Sequence, residues 1–133
     1  MQYPYMLNYL AVAAGGALGA LARSLVYEWY AKSGNDQWFP LPTLTVNMIG
    51  SFLIGIGWYC LVEKSVLPPI WRDFATVGFL GALTTFSTFS LDIFRLFQSD
   101  RSVEAVAYVL ASVILCLFGT WLGYQGIRAV LNG

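Results

Sequence analysis

The sequence predicts an all-α membrane protein built from four transmembrane helices. Three observations carry that class. Hydrophobic residues make up 58% of the 133-residue chain and charged residues only 11%, where a soluble domain carries roughly 25% charge. The charges are also segregated, leaving four uncharged windows at 1–22, 37–62, 74–91 and 105–127. Each window is long enough to cross a bilayer, which takes about 20 apolar residues with a range of roughly 17 to 25. Finally, the breaks between the windows are marked by Lys32-Ser33-Gly34-Asn35-Asp36, by Glu63-Lys64 with Pro68-Pro69, and by Gln98-Ser99-Asp100-Arg101.

The first helix is expected over 5–30. No Lys or Arg precedes Arg23, so the segment lacks the basic start of a signal peptide and reads as a retained span. The run KSGND at 32–36 ends it. The second helix is expected over 41–62, with Pro40 and Pro42 at its start, where a missing N–H costs little. Glu63-Lys64 and Pro68-Pro69 close it. The third is expected over 70–97 and ends at Gln98-Ser99-Asp100-Arg101; the fourth is expected over 102–130. One domain, 1–133, accounts for the whole chain, and no room remains for a nucleotide-binding module. A dinucleotide loop at Gly15-Gly16-Ala17-Leu18-Gly19 follows no strand and is set aside.

Seven basic and seven acidic residues cancel, so the basic footprint of a nucleic-acid binder is missing. The chain has no His, the side chain most used near neutral pH for acid–base work and metal binding. Cys60 and Cys116 show no metal-ligand spacing and read as small buried hydrophobes. No carboxylate lies deep in the first helix, which argues against a small proton-coupled exporter.

Orientation is finely balanced. Lys and Arg normally gather on the cytoplasmic side. Here Lys64, Arg72 and Arg128 fall on one face and Lys32, Arg95 and Arg101 on the other. That tie is either chance in a chain with few charges or the mark of dual topology, with both orientations paired in an antiparallel dimer. Gly15 and Gly19, and again Gly119 and Gly123, are spaced for close helix approach in lipid.

Polar residues inside spans are costly and point to function or to helix pairing. Thr43, Asn47 and Ser51 form one stripe on the second helix; Tyr108, Ser112, Cys116 and Thr120 form another on the fourth. These stripes either tie helices together or line a narrow polar track. In the third helix, 78–90 reads GFLGALTTFSTFS, with five hydroxyl residues and two glycines in thirteen positions. That makes a poor regular helix and suits a mid-membrane break exposing backbone groups to a cavity; a Ser/Thr-rich packing face is the alternative. Phe86 and Phe89, three apart, either fill the core or turn their positive ring edges to an anion. Arg23 either snorkels to the interface or draws anions into a vestibule. A protein whose polar stripes serve assembly alone remains the rival to a pore.

Three segments together carry a family likeness: GGALGALAR at 15–23, TLTVNMIGSFLIG at 43–55 and GFLGALTTFSTFS at 78–90. In that order they resemble the signatures of the Fluc (CrcB) fluoride channels, and the likeness covers the whole chain. The resemblance implies an antiparallel, dual-topology homodimer with a broken third helix and two fluoride pores, which passively exports fluoride that entered as HF. It implies a multi-pass protein of the bacterial inner membrane whose partners are fluoride, lipid and a second copy of the chain, with no nucleotide or nucleic acid. It places Asn47 on the aqueous approach, Phe86 and Phe89 against the permeating ion, and Ser87, Thr88 and Thr43 near its path. Tyr108 and Ser112 would line the polar track, and Arg23 the vestibule. A central structural Na+ would rest on the backbone carbonyls of Gly81 and Thr84 from both subunits. Two positions depart from the family pattern: Pro42 stands where Gly is usual, and Asp92 where Glu is usual.

Overall fold

A computed structural model describes residues 3–34 and 39–132 of the chain. Asn35 and Asp36 of the expected first break lie outside the described residues. Four helical spans are each long and apolar enough to cross a membrane: Tyr5–Lys32, Leu41–Glu63, Pro69–Gln98 and Ser102–Asn132. The described residues contain no strand.

Helix α1 covers Tyr3–Lys32. It stops where Ser33 donates its N–H and its hydroxyl to the Trp29 carbonyl and Gly34 turns the chain at φ +65°, a conformation that glycine adopts without steric cost. Helix α2 covers Leu41–Gly57 and has proline in its first turn. Its last turns, Trp58–Glu63, widen to i→i+5 hydrogen bonding. The third span begins as α3, Pro69–Arg72, again with proline at its start. It widens in the same way over Asp73–Leu80 and tightens over Gly81–Leu83. Helix α4 covers Phe86–Gln98 and helix α5 covers Ser102–Asn132. Between these two, Asp100 takes φ +57°, and the Arg101 N–H closes the turn on the Leu96 carbonyl at 2.9 Å.

Glycines set the packing. A Cβ at Gly15 or Gly19 would overlap the carbonyl oxygen of Phe74 or Phe79, and one at Gly78 would lie 2.6 Å from the Val12 carbonyl. The first and third spans therefore touch backbone to backbone. The second and fourth do the same: a Cβ at Gly55 would overlap the Thr120 carbonyl, and one at Gly123 the Phe52 carbonyl. Small residues allow this approach in lipid, where dispersion and not water release drives helix pairing.

The interior is thin. One apolar cluster gathers Leu44, Leu96, Ala105 and Tyr108; a second gathers Val46, Leu80 and Leu83. In the most apolar stretch of each span only 11% to 22% is buried within the subunit. Exposed Leu, Phe, Val and Trp side chains cover the remainder, which is the reverse of a water-facing surface and suits lipid or another subunit. Local ion pairs lie toward the span ends, Glu28 with Lys32, Arg72 with Asp73 and Arg101 with Glu104.

Candidate functional site

The third span carries two threonines with extended backbone. Leu83 ends one helical stretch and Phe86 starts the next. Between them Thr84 (φ −82°, ψ 158°) and Thr85 (φ −152°, ψ 120°) are extended. An extended pair inside a span frees backbone groups that lipid cannot satisfy, and side chains take them up. The Thr85 N–H donates to Asn47 Oδ1 at 2.8 Å, and Asn47 Nδ2 donates back to the Thr85 carbonyl at 3.2 Å. One carboxamide thus completes both backbone groups of one residue. The Thr85 hydroxyl accepts the Thr88 N–H at 3.1 Å and so caps α4. The same hydroxyl donates to Thr88 Oγ1 at 3.0 Å and lies 3.2 Å from Ser87 Oγ. Thr84 folds its N–H and its hydroxyl onto the Leu80 carbonyl. Its methyl fills the space over Gly50, where a Cβ would overlap it.

These bonds leave two carbonyls without their usual donors. The N–H four residues after Gly81 belongs to Thr85 and goes to Asn47; the N–H four residues after Thr84 belongs to Thr88 and goes to the Thr85 hydroxyl. Both oxygens are hard, neutral donors of the kind that coordinate alkali cations at unwound helix segments. Among the described residues, no three His, Cys, Asp or Glu side chains gather to hold a metal ion.

The interruption borders an open cleft of about 500 Å³ between the second, third and fourth spans. Asn47, Gly50, Ser51 and Ile54 line it from α2, and Ser112, Val113, Cys116 and Leu117 line it from α5. Thr76, Leu80, Gly81, Thr84, Thr85, Phe86 and Phe89 complete the wall. Phe86 is 77% exposed within the subunit, and its ring centroid lies 5.5 Å from that of Phe89. Phe89 in turn lies 5.2 Å from the Tyr108 ring. Ser112 is 5% exposed, and its hydroxyl has no hydrogen-bond partner. Such an orphan donor is costly unless a guest completes it.

Behind the aromatic row a second network ends on Asp92. Thr43 Oγ1 donates to Asp92 Oδ2 at 2.7 Å, and the Tyr108 hydroxyl reaches the same oxygen at 3.4 Å. Because the single Thr43 proton is committed to the carboxylate, the Tyr27 hydroxyl 2.6 Å away is the donor to Thr43. Every proton in the chain therefore points toward Asp92. Tyr30 bonds Thr45 at 2.8 Å alongside.

Of the residues singled out in the sequence, Asn47, Phe86, Phe89, Ser112, Gly81 and Thr84 meet on the cleft. Ser87 and Thr88 stand one layer back, around the Thr85 hydroxyl. Thr43 and Tyr108 are buried and face Asp92, although Tyr108 still backs Phe89. Arg23 lies on α1 outside the cleft wall. Both cysteines are half-buried, and Cys116 lines the cleft, which corrects their reading as buried hydrophobes. Thr85, Gly50 and the acceptor role of Asp92 were not foreseen. Thr85 carried a signal in its place within the hydroxyl run; Asp92 carried none, since its partner lies 49 positions away.

Comparison with known proteins agrees with the likeness carried by the three segments. Residues 10–124 match the profile of the family described as CrcB-like protein, Camphor Resistance (CrcB). A protein of Hahella chejuensis named fluoride-specific ion channel FluC is 49% identical over 131 residues, covering 98% of this chain and 100% of the relative. Proteins of the same name from Saccharophagus degradans and Geobacter metallireducens are 49% and 48% identical, covering 84% and 92% of this chain and 83% and 98% of the relatives. With a match of this length to the profile and nearly half its residues shared with full-length relatives, the chain belongs to the CrcB family.

Proposed function

We propose that this chain forms a fluoride-selective channel that lets fluoride leave the cell passively. The observation that carries it is the cleft at Thr84–Thr85, where an Asn47-held interruption, the rings of Phe86 and Phe89 and the unpartnered Ser112 hydroxyl meet. The name borne by relatives that align over nearly the whole chain points the same way. A small, strongly hydrated anion sheds water only where donors replace it, and it must then be held weakly enough to leave. Hydroxyl donors and positive ring edges supply that balance without a fixed cation in the path. Ser112 meets the ion along the track, and Phe86 and Phe89 present their edges to it. Ser87, Thr88, Thr43 and Tyr108 fix the surrounding hydroxyls and rings. Arg23 raises the anion concentration at the vestibule.

In this reading the third span is functionally broken at Thr84–Thr85. Two copies pair antiparallel with dual topology, which fits the tied loop charges, and each dimer holds two pores in the bacterial inner membrane. A structural Na+ would rest on the Gly81 and Thr84 carbonyls of both copies, whose helical donors are engaged elsewhere. When bound, it supplies a positive charge that joins the two interruptions across the dimer.

The test is efflux from liposomes holding the purified protein, with fluoride and chloride followed by ion-selective electrodes. Rapid fluoride release with chloride retained is expected. A folded dimer that releases neither ion would overturn the proposal, and equal release of both would remove its selectivity.

A further inference from the structure

Gly50 differs from the other glycines at tight crossings. At Gly15, Gly19, Gly55, Gly78 and Gly123 an added Cβ would run into the backbone of a neighbouring span. At Gly50, buried on the cleft wall, it would instead overlap a side-chain methyl, Cγ2 of Thr84. That methyl belongs to the first residue of the extended pair in the third span. Without it, the next atoms are Thr84 Cβ at 3.6 Å and Leu83 Cδ2 at 4.0 Å, both at ordinary contact distance. One methyl therefore decides whether position 50 can carry a side chain.

Thr84 does not give way freely. Its hydroxyl donates to the Leu80 carbonyl at 2.9 Å, and its N–H reaches the same oxygen at 3.0 Å. Threonine is stiff at χ1, and a rotation that lifts the methyl away also carries the hydroxyl off that carbonyl. The other way out is a shift of the backbone between Thr84 and Thr85. That peptide is planar, so its N–H and its carbonyl move as one. The N–H is the Thr85 donor to Asn47 Oδ1 at 2.8 Å. The carbonyl is that of Thr84, whose helical donor is engaged elsewhere. Asn47 and Gly50 are three residues apart and share one face of α2. Helix α2 thus grips the extended pair twice, by hydrogen bonds at Thr85 and by shape at Thr84.

We propose that Gly50 is a positioning residue for conduction: its bare α-carbon forms the notch that seats the Thr84 methyl, and this notch and the Asn47 amide together fix the plane of the Thr84–Thr85 peptide. The effect on conduction rests on the channel reading above; the notch does not. A methyl at position 50 tilts the plane, strains the Asn47 bond and moves the start of α4, with Phe86, away from its place on the cleft. The same methyl is harmless once Thr84 has given up its own.

The experiment is a double-mutant cycle on the full-length protein, read by fluoride efflux per folded dimer in liposomes and, separately, by thermal unfolding in detergent. Gly50→Ala is expected to lower efflux at least about fivefold, the scale of an overpacked contact, and to lower the melting temperature. Thr84→Ser keeps the hydroxyl and removes the methyl. In that background, with rates referred to Thr84→Ser itself, Gly50→Ala is expected to change efflux by less than about twofold and to leave the melting temperature level, because residues in contact couple. Equal losses in both backgrounds would overturn the notch, as would a Gly50→Ala protein that melts and conducts like the parent. A melting temperature that falls and recovers while efflux never changes would overturn the positioning role. If Gly50→Ala gives no folded dimer, Gly50→Ala/Thr84→Ser is expected to restore it, and failure to do so would overturn the proposal. Parent protein that passes no fluoride would instead count against the channel reading, while the melting temperatures would still decide the notch.

Discussion

Replacing Asn47 with alanine tests the hinge of the site. The substitution deletes two hydrogen bonds, of 2.8 and 3.2 Å, that together satisfy the Thr85 backbone. A typical bond contributes a net ~0.5–1.5 kcal/mol, so the pair holds the extended threonines in place by about 1–3 kcal/mol. The cleft beside Thr85 admits water that can partly replace the amide, which keeps the loss below the full penalty for two buried orphans, about 2–6 kcal/mol. Because each 1.4 kcal/mol is a factor of ten, the conducting geometry becomes about 5- to 150-fold rarer. The assay is fluoride efflux per reconstituted dimer, with folding checked by size-exclusion chromatography and circular dichroism. A folded Asn47→Ala dimer with efflux within about twofold of the parent, a difference of only ~0.4 kcal/mol, would refute the reasoning. The Thr84–Thr85 segment would then hold its shape without the amide.

Three further perturbations separate packing from transport. Ser112→Ala removes a buried hydroxyl that bonds nothing in the subunit, so thermal stability is expected to hold or to rise by up to about 1–3 kcal/mol as the orphan donor is relieved, while fluoride efflux falls; unchanged efflux would remove Ser112 from the path. Thr43→Val takes from Asp92 its 2.7 Å donor, and because bonds to charged groups contribute about 1.5–3 kcal/mol, denaturant unfolding is expected to show a loss in that range. A change near zero would mean that the Tyr27–Thr43–Asp92 chain is ornamental. Gly19→Ala drives a Cβ into the Phe79 carbonyl, whereas a Cβ at Gly126 meets nothing within 4 Å. The first is expected to cost about 1–3 kcal/mol, as overpacking does, and Gly126→Ala to be neutral or stabilising; equal recovery of folded protein for both would contradict the backbone-to-backbone seam.

The four spans were legible because lipid writes a one-dimensional rule: a charge inside a span is expensive, so uncharged windows mark helices. The second span, expected over 41–62, runs Leu41–Glu63, and the third, expected over 70–97, runs Pro69–Gln98. The stripe of Thr43, Asn47 and Ser51 also followed from helical spacing. What spacing could not reveal is where a stripe divides. Asn47 and Ser51 open onto the cleft, but Thr43, one turn earlier, meets Asp92. That split depends on which helix crosses opposite each turn, and crossings are set by glycine contacts between spans far apart in sequence. The Asn47–Thr85 exchange spans 38 positions and was hidden for the same reason. Cys116 was read by residue type as a small buried hydrophobe and by spacing as part of the polar stripe with Ser112; it is half-buried on the cleft wall, as the spacing places it.

The glycine seams carry a consequence for how the protein is made. The seams join the first span to the third and the second to the fourth; spans that alternate across a bilayer make both pairs parallel. Neighbours in the chain therefore do not complete one another as they emerge from the ribosome. The first span waits in lipid for the third, and the second waits for the last helix to be synthesised. A nascent chain stopped before α5 can therefore close the seam between the first and third spans, but Gly55 still lacks the Thr120 backbone that it packs against.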